Sequence, residues 1–418
     1  MKALRNTFAA ACMVLALLVP QILAVCAYPS YAAATVSGET RAFGSVVKPD
    51  DKLDGEPWQE FGIQQELMPV VSMSAGALLT SEGRVLWSRN FDEQRSPAAL
   101  TKVMTALLVV ENIAADEVIT LPALSLAYYE PRVLSQQGEV LTREQLLQAL
   151  LLVSGNDAAQ TAALVVSGDV GSFVDLMNQR AQELGMSNTQ FKNPSGFDAP
   201  GQFSTVRDLA TLSRYAMTLP EFRAVAGTIE AQAQTNMALH LWQNTNILLQ
   251  SYSGATGVKT GRTRNAGFCV IMSAQRGERE LYAIVLGTKA DLTRFFEARA
   301  LLDFGFTHFR SQQLAMEGTV VGRAPLTNFL DRSVQVAVSE DTSMTVFALA
   351  GPVEQSVEIY EDARSPVRRG DVLGRLTFTQ RGRLIAQVPL VATQDVANPF
   401  FVVQWYYNAV KMWRRIAD

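Results

Sequence analysis

Pro97-Ala98-Ala99-Leu100-Thr101-Lys102-Val103-Met104-Thr105 decides how this chain is read. Ser96, just ahead of it, can N-cap a helix, and Pro97 suits the first helical position, where its missing N–H costs nothing. The pattern predicts a helix from Ser96 to Glu111, with Val103, Leu107 and Val110 on one side. Residues three apart share a helix face, so a group at position 99 would meet the Lys102 amine. A serine there could pass its proton to that amine and attack a carbonyl. The chain carries Ala99 instead, and a methyl group cannot attack. Position 99 also falls in the first helical turn, where unpaired backbone N–H groups can stabilise an oxyanion.

Two further elements carry chemistry. Ser154-Gly155-Asn156 falls at the break between helices predicted over Thr142–Leu152 and Asp157–Val166, the first opened by a capping-box pair, Thr142 and Gln145. Lys259-Thr260-Gly261 lies on a predicted strand and runs into Arg262-Thr263, a cation and hydroxyls suited to a carboxylate. Each tripeptide alone is weak, because Ser-Gly-Asn usually just ends a helix and Lys-Thr-Gly usually starts a turn. Their order, separation and local context together are specific.

Around these motifs, Ala75–Leu79 and Arg84–Trp87 flank Ser81-Glu82-Gly83 as a β-hairpin. Val258–Gly261, Gly267–Ala274 and Leu281–Leu286 read as strands, Leu292–Phe304 as a helix, and another helix starts near Thr205. Strands, then helices, then strands again predict an α/β (α+β) domain, with a helical cluster on an antiparallel sheet, over residues 66–312. Short alternating runs such as Val334-Val336-Val338 predict a separate all-β domain over 313–395.

Lys2 and Arg5 precede an apolar run from Phe8 to Val25, and Ala32-Ala33-Ala34 offers cleavage sites, so residues 1–34 read as a secretory signal peptide. A polar linker is expected over 35–65. Cys12 and Cys26 would leave with the signal, and Cys269, left alone, reads as a small buried hydrophobe. His240 and His308 are the two histidines, so no zinc-type metal site can be assembled, and both read as structural. A net charge of −4 gives no footprint for nucleic acid.

Residues 396–418 read as an amphipathic helix. Gln404, Asn408, Lys411, Arg415 and Asp418 make a polar stripe against Phe400, Phe401, Trp405, Tyr406, Tyr407 and Trp413. Its apolar part extends roughly 21 Å, short of the ~30 Å hydrocarbon core. It is expected to lie in a membrane interface, with Lys411, Arg414 and Arg415 toward anionic lipid; the alternative is docking on the chain's own domain.

The chain resembles the low-molecular-mass penicillin-binding proteins, the serine D-alanyl-D-alanine carboxypeptidases. Arg95-Ser96-Pro97-Ala98, Ser154-Gly155-Asn156-Asp157-Ala158, Asn193-Pro194-Ser195-Gly196-Phe197-Asp198 and Gly257-Val258-Lys259-Thr260-Gly261-Arg262-Thr263 carry the likeness. Arg294 and, in the β domain, Pro366-Val367-Arg368-Arg369-Gly370-Asp371 extend it. The resemblance implies a transpeptidase-like domain, a β domain and a tethering helix at the outer face of the cytoplasmic membrane. Its substrate would be a peptidoglycan stem peptide, cleaved through an acyl-serine that β-lactams trap, with no cofactor. By the same resemblance Lys102 would be the base, and Ser154 and Asn156 would move protons and hold substrate. Lys259, Thr260, Gly261, Arg262, Thr263 and Arg294 would bind it, and the N–H groups of residues 99 and 262 would form the oxyanion hole.

Ala99 departs from that pattern at the nucleophile, and neither Ser96 nor Thr101 restores the geometry. Three readings follow. The first is a natural non-catalytic homologue that binds stem peptides, and β-lactams at most non-covalently. The second is an active carboxypeptidase represented by a serine-substituted sequence. The third is a structural or regulatory partner of cell-wall enzymes.

Overall fold

The computed structural model describes residues 46–125 and 130–417. The expected signal peptide, with Cys12 and Cys26, lies outside the described residues, as do Asp418 and the side chains of Lys411, Arg414 and Arg415. The expected linker is corrected from residue 46 onward. There β1 (Lys52–Leu53) and β2 (Glu56–Pro57) add to the edge of a sheet. The cause is a buried ion pair: Arg89 Nε and Nη2 hold Asp51 Oδ1 and Oδ2 at 2.6 and 2.7 Å, both side chains fully buried. A linker has no such anchor.

The predicted hairpin is β3 (Ala75–Thr80) and β4 (Val85–Arg89). Helix α1 (Lys102–Asn112) follows. After a small ribbon of β5 (Val118–Thr120) and β6 (Val140–Thr142) come α2 (Arg143–Leu151), α3 (Asn156–Ser167) and α4 (Val170–Glu183). Thr142 caps α2 as predicted: its hydroxyl accepts from Gln145 N, and the Gln145 side chain accepts from Thr142 N. Helices α5 (Val206–Thr218, capped by Thr205) and α6 (Pro220–Ala226) precede the hairpin β7 (Glu230–Gln234) and β8 (Leu239–Gln243). The short α7 (Leu248–Ser251) leads to β9 (Ala255–Thr263), β10 (Gly267–Arg276) and β11 (Arg279–Thr288), and α8 (Asp291–His308) closes this part of the chain.

The sheet runs β2-β1-β4-β3-β11-β10-β9, antiparallel throughout. Both faces are covered, so β3 is buried at every position rather than alternating with solvent. Ala77, Ile271 and Ile284 point into a core with α1 to α5, whose largest members include Phe173 and Phe191. Leu78, Met272 and Val285 point the other way, onto Phe295, Leu301 and Leu302 of α8. Each fully buried Leu or Phe contributes about 1.5–3 kcal/mol. The helical cluster of the sequence reading is therefore one of two covering layers.

The all-β part holds β12 (Phe309–Ala315), β13 (Val320–Pro325), β14 (Ser333–Val338), β15 (Thr342–Phe347), β16 (Val353–Ile359), β17 (Val372–Gln380) and β18 (Arg383–Ala392). They form a five-stranded sheet, β13-β14-β18-β17-β16, and a β12-β15 pair. Val334 and Val336 are buried as the alternation predicts. Helix α9 (Phe401–Ala417) ends the described chain. Tyr407 rests on Phe329, ring centroids 6.1 Å apart, while Phe400, Phe401, Trp405 and Trp413 remain more than two-thirds exposed. No described helix is long and apolar enough to cross a membrane.

Candidate active site

The start of the first motif differs from expectation. Ala98–Thr101 is a 3-10 turn, and the α-helix begins only at Lys102. Ser96 does not cap it; its Oγ donates to Asp198 Oδ1 at 3.0 Å. Ala98 has φ +51°, a conformation that costs a non-glycine residue of order 1–3 kcal/mol and is typical of functional sites. Close neighbours impose it. A Cβ on Gly196 would sit 1.9 Å from the Ala98 carbonyl oxygen, and one on Gly261 would sit 3.1 Å from the N atoms of Ala99 and Leu100. Only glycines let the 193–198 turn and strand β9 press so near the helix start. In a 3-10 turn side chains three apart eclipse, which stacks position 99 over Lys102.

Lys102 is buried. Its Nζ donates to Asn156 Oδ1 and to the Ser195 carbonyl, both at 2.8 Å. Burial pulls its pKa down to about 7, against the opposing pull of Asp157 and Glu130. An amine so tuned is a competent base near neutral pH. Asn156 opens α3, and Ser154 reaches the site through a left-handed turn at φ +64° between α2 and α3. Asp157 Oδ2 accepts from Val133 N and Leu134 N, both at 2.7 Å, and ties the 131–134 segment to this corner. Burial raises its pKa, against those hydrogen bonds.

Strand β9 supplies the other wall. Lys259 is also buried, its Nζ donating to the Thr260 carbonyl at 3.1 Å. Burial lowers its pKa well below the usual lysine value, and Lys102 and Arg294 add to the effect. Thr260 Oγ1 and Thr245 Oγ1 are 2.6 Å apart. Arg294 Nη1 donates to the carbonyls of Gly261 at 2.9 Å and Cys269 at 3.2 Å, and Nη2 pairs with Asp291 at 2.5 Å. Arg262 is exposed, its guanidinium 4.9 Å from the centre of the Phe268 ring.

A cavity of about 280 Å³ opens between the walls. Ala99, Lys102, Ser154, Asn156, Thr260, Gly261, Arg262, Thr263 and Arg294 all line it. Lys259 lies behind the lining rather than in it. The sequence reading missed Glu130 and Pro131, which sit in a stretch without periodicity, and Val153, next to the second motif; Glu130 Oε2 accepts from Asn156 Nδ2 at 3.0 Å. Among the described residues no His, Cys, Asp and Glu side chains cluster as metal ligands. His240 Nε2 lies 2.5 Å from buried Glu139, and His308 packs on Phe304, both away from the lining. Cys269 is fully buried.

Comparison with known proteins points to one family. The profile of the D-alanyl-D-alanine carboxypeptidase family matches residues 65–290, and that of the penicillin-binding protein 5 C-terminal domain matches 309–398. The chain is 32% identical to the D-alanyl-D-alanine carboxypeptidase DacC of Escherichia coli, over 82% of this chain and 89% of the relative. It is 28% identical to DacF of Bacillus subtilis, over 79% and 87%. Penicillin binding protein 6B of Escherichia coli superposes with a TM-score of 0.62 at 27% identity, covering 78% of this chain and 96% of that structure. With family profiles matching both domains and a relative 32% identical over 82% of the chain, the chain belongs to the D-alanyl-D-alanine carboxypeptidase family of low-molecular-mass penicillin-binding proteins.

Proposed function

We propose that this protein binds stem peptides ending in D-Ala-D-Ala, at the outer face of the cytoplasmic membrane, without cleaving them. The observation that carries the reading is Ala99 in a cleft that keeps Lys102, Ser154, Asn156, Thr260 and Arg294 around it. Losing the nucleophile of a comparable catalytic unit costs roughly 10⁶ in turnover. The backbone N–H of residue 99 survives the change, so a peptide carbonyl still has its donor. Thr260, Arg262 and Thr263 face the terminal carboxylate from β9, with Arg294 supplying positive charge and Lys259 an N–H donor behind them.

A secretory signal over 1–34 and an interfacial helix over 396–418 complete this reading, flanking the 35–65, 66–312 and 313–395 segments. The exposed aromatics of α9 support the helix assignment. Chain lacking residues 398–418 should stay in solution with anionic vesicles that pull down the chain carrying them; equal partition of both sinks the anchor.

Fluorescent penicillin should leave no covalent label on this chain, while a D-Ala-D-Ala peptide binds and loses affinity in Lys259→Ala. Labelling at a defined residue would overturn the reading and reveal another nucleophile. Absence of peptide binding would favour a structural or regulatory partner of cell-wall enzymes with an idle cleft.

A further inference from the structure

We propose that Glu130 is a positioning residue of this cleft, fixing which way the Asn156 amide faces and thereby the protonation of Lys102. The motifs do not include it, and it sits ahead of α2, far from them in sequence. The proposal deepens the stem-peptide reading and rests on it for its relevance to substrate.

The geometry is a relay through one amide. Lys102 Nζ donates to Asn156 Oδ1 at 2.8 Å, and Asn156 Nδ2 donates to Glu130 Oε2 at 3.0 Å. Asn156 is 5% exposed, so water reaches its amide only from the cleft and does little to satisfy a wrongly turned one. An amide can face either way, and only its neighbours choose. Lys102, as an ammonium, has only N–H to give and selects the oxygen. Glu130 has only acceptor oxygens when ionised and selects the nitrogen. The two ends therefore agree on one orientation. Without Glu130 the Nδ2 end loses its acceptor, and the flipped amide, which sets N–H against N–H at the Lys102 ammonium, is no longer excluded from both sides.

Glu130 also acts by charge. The groups facing Lys102 are Asp157 on α3, Glu130 on the 130–134 segment and Lys259 on β9. Asp157 is engaged by two backbone N–H groups. Glu130 is the carboxylate joined to Lys102 through the Asn156 amide, and after Asp157, the stronger of the two influences, it favours the ammonium against burial. The backbone of the same segment is held at this corner, since Asn156 N donates to the Pro131 carbonyl at 3.0 Å. Pro131 lines the cavity, so the carboxylate enters with the cleft wall.

The test titrates Lys102 in the full chain, using the side-chain NMR signals of isotope-labelled lysine, and needs no ligand. Glu130→Gln should move the Lys102 titration down by about one pH unit. Glu130→Asp, which keeps the charge, should leave it near the parent value. Should the glutamine variant not fold, Glu130→Ala removes the carboxylate without adding a competing amide. An unmoved Lys102 titration in a folded Gln or Ala variant overturns the proposal and leaves Glu130 as a tie for the cleft wall. Binding of a D-Ala-D-Ala peptide to the parent chain is measured separately. Its failure sinks the stem-peptide reading while leaving the Lys102 result intact.

Discussion

Replacing Ala99 by serine tests the catalytic geometry most directly. The added hydroxyl is smaller than a water molecule and enters a cavity of about 280 Å³, so no repacking is required. The 3-10 turn stacks it over the Lys102 amine, and burial holds that amine to about 7. At pH 7 about half of Lys102 is therefore neutral and able to take the serine proton; at pH 5 only about 1% is. Acylation by fluorescent penicillin should appear in A99S and be absent in the parent, with a rate gain of up to roughly 10⁶. Between pH 5 and pH 8 its rate should rise about 90-fold, following Lys102. The assay is covalent labelling against time across that range, with circular dichroism to verify folding. A folded A99S that never labels would refute the claim that the cleft remains assembled. Labelling that ignores pH would refute Lys102 as the base.

Two stability predictions follow from buried charge. Asp51→Ala strands Arg89 in the core and should cost about 3–5 kcal/mol, read as a lower denaturation midpoint; a loss under 1 kcal/mol would mean the 46–65 segment is held by other contacts. Lys102→Met should change stability by an amount that depends on pH. The folded amine releases its proton near 7 and the unfolded one near 10.4, so burial costs roughly 4 kcal/mol at pH 7, is costliest below that, and costs nothing above about pH 10. Methionine removes that penalty but orphans Asn156 Oδ1 and the Ser195 carbonyl, at about 1–3 kcal/mol each. Its effect on stability should therefore worsen by roughly 4 kcal/mol from pH 7 to above about pH 10, where only the orphaned acceptors count, and a pH-independent effect would show that the folded pKa of Lys102 is not lowered.

Much of this molecule was legible in local patterns. Thr142 and Gln145 announced the start of α2 because a capping box is a contact within one turn. Alternating valines announced β14, and the three motifs identified the family, because each is a short run whose chemistry depends on neighbours in sequence. Ala99 was visible as a missing nucleophile for the same reason. The start of α1 was misjudged because the capping rule sees only Ser96 and Pro97, whereas Gly196 and Gly261 arrive from distant segments and force a 3-10 turn. The 46–65 segment read as a linker because its anchor, Arg89, lies outside it.

By itself the sequence determined the element types, the family and the absent serine, since those rest on residue identity and short spacing. Only the tertiary structure decided what Lys102 and Glu130 are. A lysine's pKa depends on how deeply it is buried and which charges face it, and a glutamate in an irregular stretch gains a role only when folding brings it to an amide that the lysine also needs.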